Sequence, residues 1–71
     1  MNTVSEPAWI NLGTRRVIYA TAEQPKKYYF YAFYEKDTMF ILMGIVEPPL
    51  NGYRASRFKR ELESMLVNFT P

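Results

Sequence analysis

Two consecutive segments of this chain look like β-strands with apolar residues on both of their faces. Lys27 to Tyr34 runs KYYFYAFY, and Thr38 to Val46 runs TMFILMGIV. Strand side chains alternate between opposite faces, so a sheet with one wet face should alternate apolar and polar residues. These two segments do not alternate in that way. Any sheet built from them therefore needs a cover on both faces.

A single helix is predicted at the C-terminal end, from Tyr53 to about Asn68. Its apolar residues form one continuous stripe at helical spacing: Phe58, Leu62, Met65, Leu66 and Phe69. Asn51, just before the helix, is a residue type that favours the N-cap. One helix can cover one face of a small sheet, so the other face lacks a helix of its own.

The preceding residues supply further strands and turns. Arg15 to Ala22 is rich in β-branched and aromatic residues and is predicted as a strand, and Ala8 to Leu12 as a short edge strand. Turns are predicted at Gly13-Thr14, at Glu23–Lys26 with Pro25, at Glu35–Thr38 as a four-residue loop, and at Glu47-Pro48-Pro49, which ends the third strong strand. Short connections favour antiparallel pairing. The predicted fold class is α+β: an antiparallel β-meander of three to four strands followed by one C-terminal amphipathic helix packed on one sheet face.

The size of the chain limits how it can be stabilised. Its 71 residues predict one domain over residues 1–71, with 1–7 as a flexible arm. Domains this small usually gain stability from disulfides, a metal ion or oligomerisation. The chain has no cysteine and no histidine. Disulfides are therefore excluded and zinc lacks its usual nitrogen and sulfur ligands, so elimination favours a homodimer or docking on a partner protein.

The face without a helix is the first candidate site. Such apolar patches tend to mark interaction surfaces. We expect the contact residues to be Tyr29, Tyr31 and Phe33, with Met39 or Met43 beside them. The alternative is a strongly curled sheet in which the N-terminal segment, with Trp9, packs over this face.

The second candidate site is a basic cluster at the start of the helix, formed by Arg54, Arg57, Lys59 and Arg60. Cations are disfavoured there, because a helix N-terminus carries partial positive charge. An arrangement that opposes helix stability suggests binding of phosphate or carboxylate groups. The alternative is a solvated face with Arg57 paired to Glu61, since surface charges usually serve only solvation. Lys26 and Lys27 add positive charge at a strand start.

Residue types used in catalysis are missing or scattered. General acid–base and nucleophilic chemistry normally uses histidine, cysteine or a tuned carboxylate, and no convincing pair of carboxylates is visible. We therefore expect no enzyme activity, no small-molecule substrate, no cofactor and no metal. No signal peptide is visible, and the longest apolar run, Met39 to Val46, is too short to span a membrane, so a soluble cytoplasmic protein is expected.

Two functions remain. The first is a protein-interaction module of an accessory, inhibitory or regulatory kind, of a size typical of small phage or mobile-element proteins. The second is a nucleic-acid-binding module, because lysines next to aromatics over residues 26–31 are typical of single-strand stacking platforms. In topology alone, three strands and a helix also resemble the arm-binding domains of some phage integrases, which insert a sheet into DNA. The net charge of +2 is modest for that function and places it second.

Overall fold

The protein folds as a four-stranded antiparallel sheet followed by one helix, as seen in a computed structural model that describes residues 4–23, 26–47 and 52–71. The elements are β1 (Ala8–Leu12), β2 (Arg15–Ala22), β3 (Lys27–Glu35), β4 (Thr38–Val46) and α1 (Gly52–Asn68). The strands lie in sequence order across the sheet. The predicted α+β meander with one C-terminal helix is confirmed, and so is the short first strand.

The hairpin between β3 and β4 is tighter than predicted. Glu35 pairs directly with Thr38, which leaves a two-residue loop in place of the predicted four. Lys36 and Asp37 both have positive φ, at 54° and 60°, as a type I′ turn requires. This turn is favoured because its twist matches that of the flanking strands. The β1–β2 loop is also two residues long and begins with Gly13 at a φ of 66°.

The N-terminal arm is attached to the sheet where the structure describes it. Val4 forms an isolated antiparallel bridge with Ala22. The Ser5 backbone N–H donates to the Thr21 carbonyl at 2.8 Å, and the Thr21 N–H donates to the Ser5 hydroxyl at 2.8 Å. The arm therefore extends the β1 edge along β2 over residues 4 and 5. Pro25, Pro48, Pro49 and the predicted N-cap Asn51 lie outside the described residues.

The core lies between α1 and one face of the sheet. We call this the helix face; its buried or half-buried residues are Ile10, Leu12, Val17, Tyr19, Tyr29, Tyr31, Phe33, Phe40, Leu42, Gly44 and Val46. From the predicted helix stripe, Leu62 and Leu66 are buried and Phe58 packs against them. Met65 and Phe69, also in that stripe, stay 58% and 41% exposed.

Gly44 sets how closely α1 approaches β4. A Cβ atom at this position would lie 2.5 Å from Leu62 Cδ1 and 2.9 Å from Phe58 Cε2. Those distances are below contact distance, so the absence of a side chain at Gly44 leaves room for the Leu62 and Phe58 side chains in their present positions. The helix can therefore pack closely against this face of the sheet.

Within the described residues, no helix has the length and apolar character that crossing a membrane requires.

Candidate functional site

The helix covers the sheet face that was predicted to be uncovered. Tyr29, Tyr31 and Phe33 are 3%, 0% and 4% exposed and form the centre of the core. The prediction that these three rings form a contact surface was therefore wrong. They are on the same side of the sheet as Gly44, where the helix can approach closely.

The opposite face of the sheet has no covering element among the described residues. We call it the open face; its strand residues are Trp9, Asn11, Arg16, Ile18, Ala20, Ala22, Tyr28, Phe30, Ala32, Tyr34, Met39, Ile41, Met43 and Ile45. Asn11 and Arg16 are the two amide or charged side chains in this set. The face is consequently apolar over most of its area.

Several large side chains of the open face are strongly exposed. Ile41 is 72% exposed, Tyr34 65% and Trp9 58%. The predicted contact residues Met39 and Met43, at 53% and 49%, also lie here. Because Trp9 is itself exposed on β1, residues 4–12, the described part of the N-terminal segment, do not fold over this face as the curled-sheet alternative required.

The strand register explains why the five predicted contact residues separate into two groups. Phe30 pairs with Met43 and Tyr34 pairs with Met39, so these side chains share the open face. Tyr31 pairs with Leu42 on the helix face. Pairing of Glu35 with Thr38 across the two-residue hairpin fixes this register. Counting back from this hairpin in the sequence would have placed Met39 and Met43 on the same face as Phe30 and Tyr34.

The open face is large enough to act as an interface. Four strands about 4.8 Å apart and about eight residues long cover roughly 20 Å by 25 Å. The relief of the side chains makes its accessible area larger than this flat value of about 500 Å². The largest apolar patch of a typical monomer is about 300–600 Å² and often functional.

A smaller apolar cleft lies on the other side of the β4 edge. It has a volume of about 260 Å³ and is lined by residues that include Phe40, Leu42, Met65 and Phe69. The rings of Phe40 and Phe69 meet edge to face at 5.3 Å. Both sides of the β4 edge are thus apolar.

The basic helix residues differ in the contacts that they make. Arg57 pairs with Glu61 at 3.4 Å, as the solvated-face alternative predicted, and both side chains are more than 60% exposed. Lys59 instead turns toward the sheet, where it binds Glu63 at 2.7 Å and lies 5.1 Å from the centre of the Tyr19 ring. Arg54 and Arg60 are exposed on α1, which covers the helix face, and the open face lies on the other side of the sheet.

The two lysines at the start of β3 are also engaged in ion pairs. Lys26 pairs with Glu47 at 3.0 Å, and Lys27 pairs with Glu23 at 2.7 Å. Hydrogen bonding to Glu23 raises the pKa of Lys27, and the same bond lowers the pKa of Glu23. Lys27 lies beside Tyr29 on the helix face, whereas Lys26 lies near Tyr28 at the end of the open face.

Arg15 has a structural role that the sequence did not reveal. It lies on the helix face, where its guanidinium donates to the carbonyl oxygens of Leu66 and Phe69 at the end of α1. It also donates to Glu35 at 3.2 Å and lies 4.3 Å from the centre of the Phe33 ring. The last turn of α1 has no basic residue of its own, so Arg15 supplies the positive charge that a helix C-terminus favours.

Tyr31, Glu63 and Lys59 form a hydrogen-bond network at the boundary of the core. The Tyr31 hydroxyl donates to Glu63 Oε2 at 2.9 Å, and the Lys59 ammonium donates to the same oxygen at 2.7 Å. Burial and the bond to Glu63 raise the pKa of Tyr31 well above its ordinary value of 10.0. Hydrogen bonding to Glu63 likewise raises the pKa of Lys59. The network ties β3 to α1.

We expect Tyr31→Phe to change the alkaline stability of the protein. A raised folded-state pKa means that the stabilisation is complete below about pH 10 and is lost as pH rises above the ordinary pKa. Wild-type stability should fall by about 1.4 kcal/mol per pH unit for this one proton above pH 10, and Tyr31→Phe should remove that contribution. At pH 7 the variant should lose about 1 kcal/mol with the hydrogen bond.

Urea denaturation followed by circular dichroism between pH 7 and 12 measures both effects. Tyr34→Phe is the matched control, because Tyr34 is 65% exposed on the open face. The same alkaline slope in Tyr31→Phe as in wild type would contradict the role of this hydroxyl.

The described residues contain no cluster of three or more His, Cys, Asp or Glu side chains that could hold a metal ion. Comparisons of the chain with protein-family models, with curated proteins and with solved structures found no match. The physical character of the surface is therefore the basis for a functional proposal.

Proposed function

We propose that this protein is a non-enzymatic binding module that docks its open face on a protein surface, in an accessory, inhibitory or regulatory role. The observation that carries the proposal is an apolar sheet face on which Ile41, Tyr34 and Trp9 are each more than half exposed. Leaving so much apolar surface in water is unfavourable by about 25 cal/mol per Å², and contact with another apolar surface recovers that free energy.

The residue types of the open face favour a protein over a nucleic acid. Aromatic residues and methionine are enriched at protein interfaces, and Trp9, Tyr34 and Met39 are of these types. A nucleic-acid surface needs several cations next to its aromatics, because phosphate contacts provide most of the affinity. Within the strands, the open face has one cation, Arg16, whose guanidinium lies 4.9 Å from the centre of the Trp9 ring.

Catalysis is not part of the proposal. The chain has neither histidine nor cysteine, the usual general base and the most reactive nucleophile. The carboxylates of Glu23, Glu47, Glu61 and Glu63 each pair with a lysine or arginine.

Affinity capture from the host lysate with Ile41→Lys tests the proposed docking face. Ile41 is 72% exposed, so the change should alter folding stability by no more than about 0.5 kcal/mol. A lysine buried in an interface without a partner weakens binding strongly. Retention of the bound protein should fall at least about tenfold, equivalent to 1.4 kcal/mol.

Tyr53→Lys is the matched control, because Tyr53 is 74% exposed on α1 and the substitution adds the same charge. It should retain the bound protein at the wild-type level. Equal retention by both variants would contradict docking through the open face.

A salt titration with random single- and double-stranded oligonucleotides tests the nucleic-acid alternative. Binding by phosphate contacts must be strong at low salt and weaken steeply as salt increases. We expect no binding at about 50 mM salt, and tight binding that is lost in Arg57→Ala would replace the present proposal.

A further inference from the structure

We propose that the occupant of the open face is a second copy of this chain, with the two sheets packed face to face. In this arrangement a two-fold axis runs parallel to the strands between β2 and β3. The proposal rests on the proposed function of the open face as a protein-docking surface, and it names the partner. Register, area and core size support it separately, and the charge pattern is compatible with it.

The register makes the centre of the open face complementary to itself. The three central cross-strand pairs each join one larger and one smaller side chain: Ile18 with Ala32, Phe30 with Ala20, and Tyr28 with Ala22. An axis between β2 and β3 places β2 over β3 of the partner subunit. Ile18 and Phe30 then each face an alanine of the partner subunit, as interdigitating layers require, and Tyr28 faces the Ala22 position, which is already buried within one chain.

The outer strands bring two large, exposed side chains into contact. The axis places β1 over β4 of the partner subunit, so Trp9 faces Ile41 of the partner subunit. Both side chains are more than half exposed within one chain, at 58% and 72%. Trp9 and Ile41 of the partner subunit would therefore become buried against each other. Packed sheets normally lie about 10 Å apart, and side chains of this size fill that space.

Two copies of the open face bury about 1,000 Å² in total in the plane of the sheets, which is the lower limit for a specific interface. A standard interface buries about 800 Å² of accessible surface on each partner. The open face measures about 500 Å² in the plane of the sheet, and projecting side chains such as Trp9 and Ile41 raise its accessible area toward that value. A face-to-face dimer would cover the open face of all four strands.

The charge pattern of the open face is compatible with contact between two copies. Discrimination between partners usually uses complementary charges across the interface. The strands provide the open face with a single charged side chain, Arg16, and this guanidinium leans over Trp9 toward the β1 edge. The axis places Arg16 of each copy at the same end of the contact, and each guanidinium leans over Trp9 toward β1, away from the axis.

The small core also favours association. The core between the sheet and α1 holds six buried apolar residues among the described residues, two of them with fully buried side chains, Tyr31 and Val17. A chain of this length with no disulfide commonly relies on association for part of its stability. A second sheet on the open face would supply the missing layer.

Sedimentation equilibrium and Trp9 fluorescence test the proposal with the unmodified protein. At about 100 µM the protein should sediment at twice the 8.4 kDa chain mass. The chain has one tryptophan, and its emission should shift to shorter wavelength as concentration rises, because dimerisation buries it. A monomer at this concentration would overturn the proposal.

Pairing of two copies through the β4 edge is the main competing arrangement, since β4 is a long edge strand with apolar neighbours. Trp9 lies on β1, at the opposite edge, so β4 pairing would leave it exposed. A dimer whose Trp9 emission does not shift would therefore overturn face-to-face packing.

Ala20→Lys provides a second discrimination, because Ala20 lies in the inner strand β2 and is remote from the β4 edge. It should weaken dimerisation at least a hundredfold, whereas Tyr53→Lys should leave it unchanged. A dimer of undiminished affinity in folded Ala20→Lys would contradict the proposal; if this variant does not fold, the wild-type fluorescence shift still decides. A wild-type monomer whose lysate partner depends on Ile41 would refute the second copy and leave the proposed function standing.

Discussion

Replacing Gly44 with valine is expected to lower the free energy of unfolding by about 3 kcal/mol, the upper part of the range for inserting atoms into a packed core. Gly44 lies on β4 directly under α1, and its missing side chain makes room for Leu62 and Phe58. A Cβ atom there would be 2.5 Å from Leu62 Cδ1 and 2.9 Å from Phe58 Cε2. The Leu62 and Phe58 side chains must shift from these positions, and the packing between β4 and α1 is disturbed.

The effect is large relative to the stability of a domain this small. A single core in a chain of fewer than about 70–80 residues rarely supplies more than 3–5 kcal/mol. Gly44→Val should therefore unfold much of the protein at room temperature, and Gly44→Ala should cost about 1–2 kcal/mol. Urea denaturation followed by far-ultraviolet circular dichroism measures both values.

Gly52→Ala is the matched control, because nothing lies within 4 Å of the position that its Cβ would occupy. It should change stability by less than about 0.5 kcal/mol. Shortening Leu62 to alanine should relieve the clash, so the double variant Gly44→Ala/Leu62→Ala should be more stable than the sum of the single effects implies. Additive effects would show that the two positions do not meet.

Replacing Arg15 with alanine is expected to lower the free energy of unfolding by about 2–3 kcal/mol, because hydrogen bonds from a charged group contribute about 1.5–3 kcal/mol. The guanidinium binds two carbonyl oxygens at the end of α1, those of Leu66 and Phe69, and the carboxylate of Glu35. Its side chain is 16% exposed. Truncation leaves the helix end without a donor and exposes the Phe33 ring beneath it.

Arg16→Ala is the control for this prediction, because Arg16 is the next residue and is exposed on the other face of the sheet. It should change stability by less than about 0.5 kcal/mol. Arg15→Lys should recover part of the loss, since an ammonium retains the charge but cannot span the two carbonyl groups as a planar guanidinium does. Equal thermal midpoints for Arg15→Ala and Arg16→Ala would refute the proposed role of Arg15.

The types and order of the elements were predictable because each depends on local pattern. The β-branched and aromatic segments at Arg15–Ala22, Lys27–Tyr34 and Thr38–Val46 are strands, and the stripe from Phe58 to Leu66 lies on a helix. Short polar connections made antiparallel neighbours the favourable arrangement. The ion pair between Arg57 and Glu61 also followed from spacing along a helix, since residues four apart are neighbours.

The identity of the exposed face could not be predicted in the same way. In β3 the two alternating sets, Tyr29/Tyr31/Phe33 and Tyr28/Phe30/Tyr34, are nearly equal in size and apolar character. Binary patterning cannot choose between two faces that are both apolar. Which face the helix covers depends on which β3 side chains share a face with Gly44, where the helix can approach closely. Cross-strand register decides this, and neither strand does so alone.

By itself, the sequence determined that this protein has one more apolar sheet face than its helix can cover, because the count of apolar strand positions exceeds what one helical stripe can bury. Tertiary structure alone decided which face that is. Gly44 opens the helix face to Leu62 and Phe58, and Arg15 fixes the end of the helix over Phe33. The exposed rings and methionines are consequently those of the open face, where Trp9, Tyr34 and Ile41 meet the solvent.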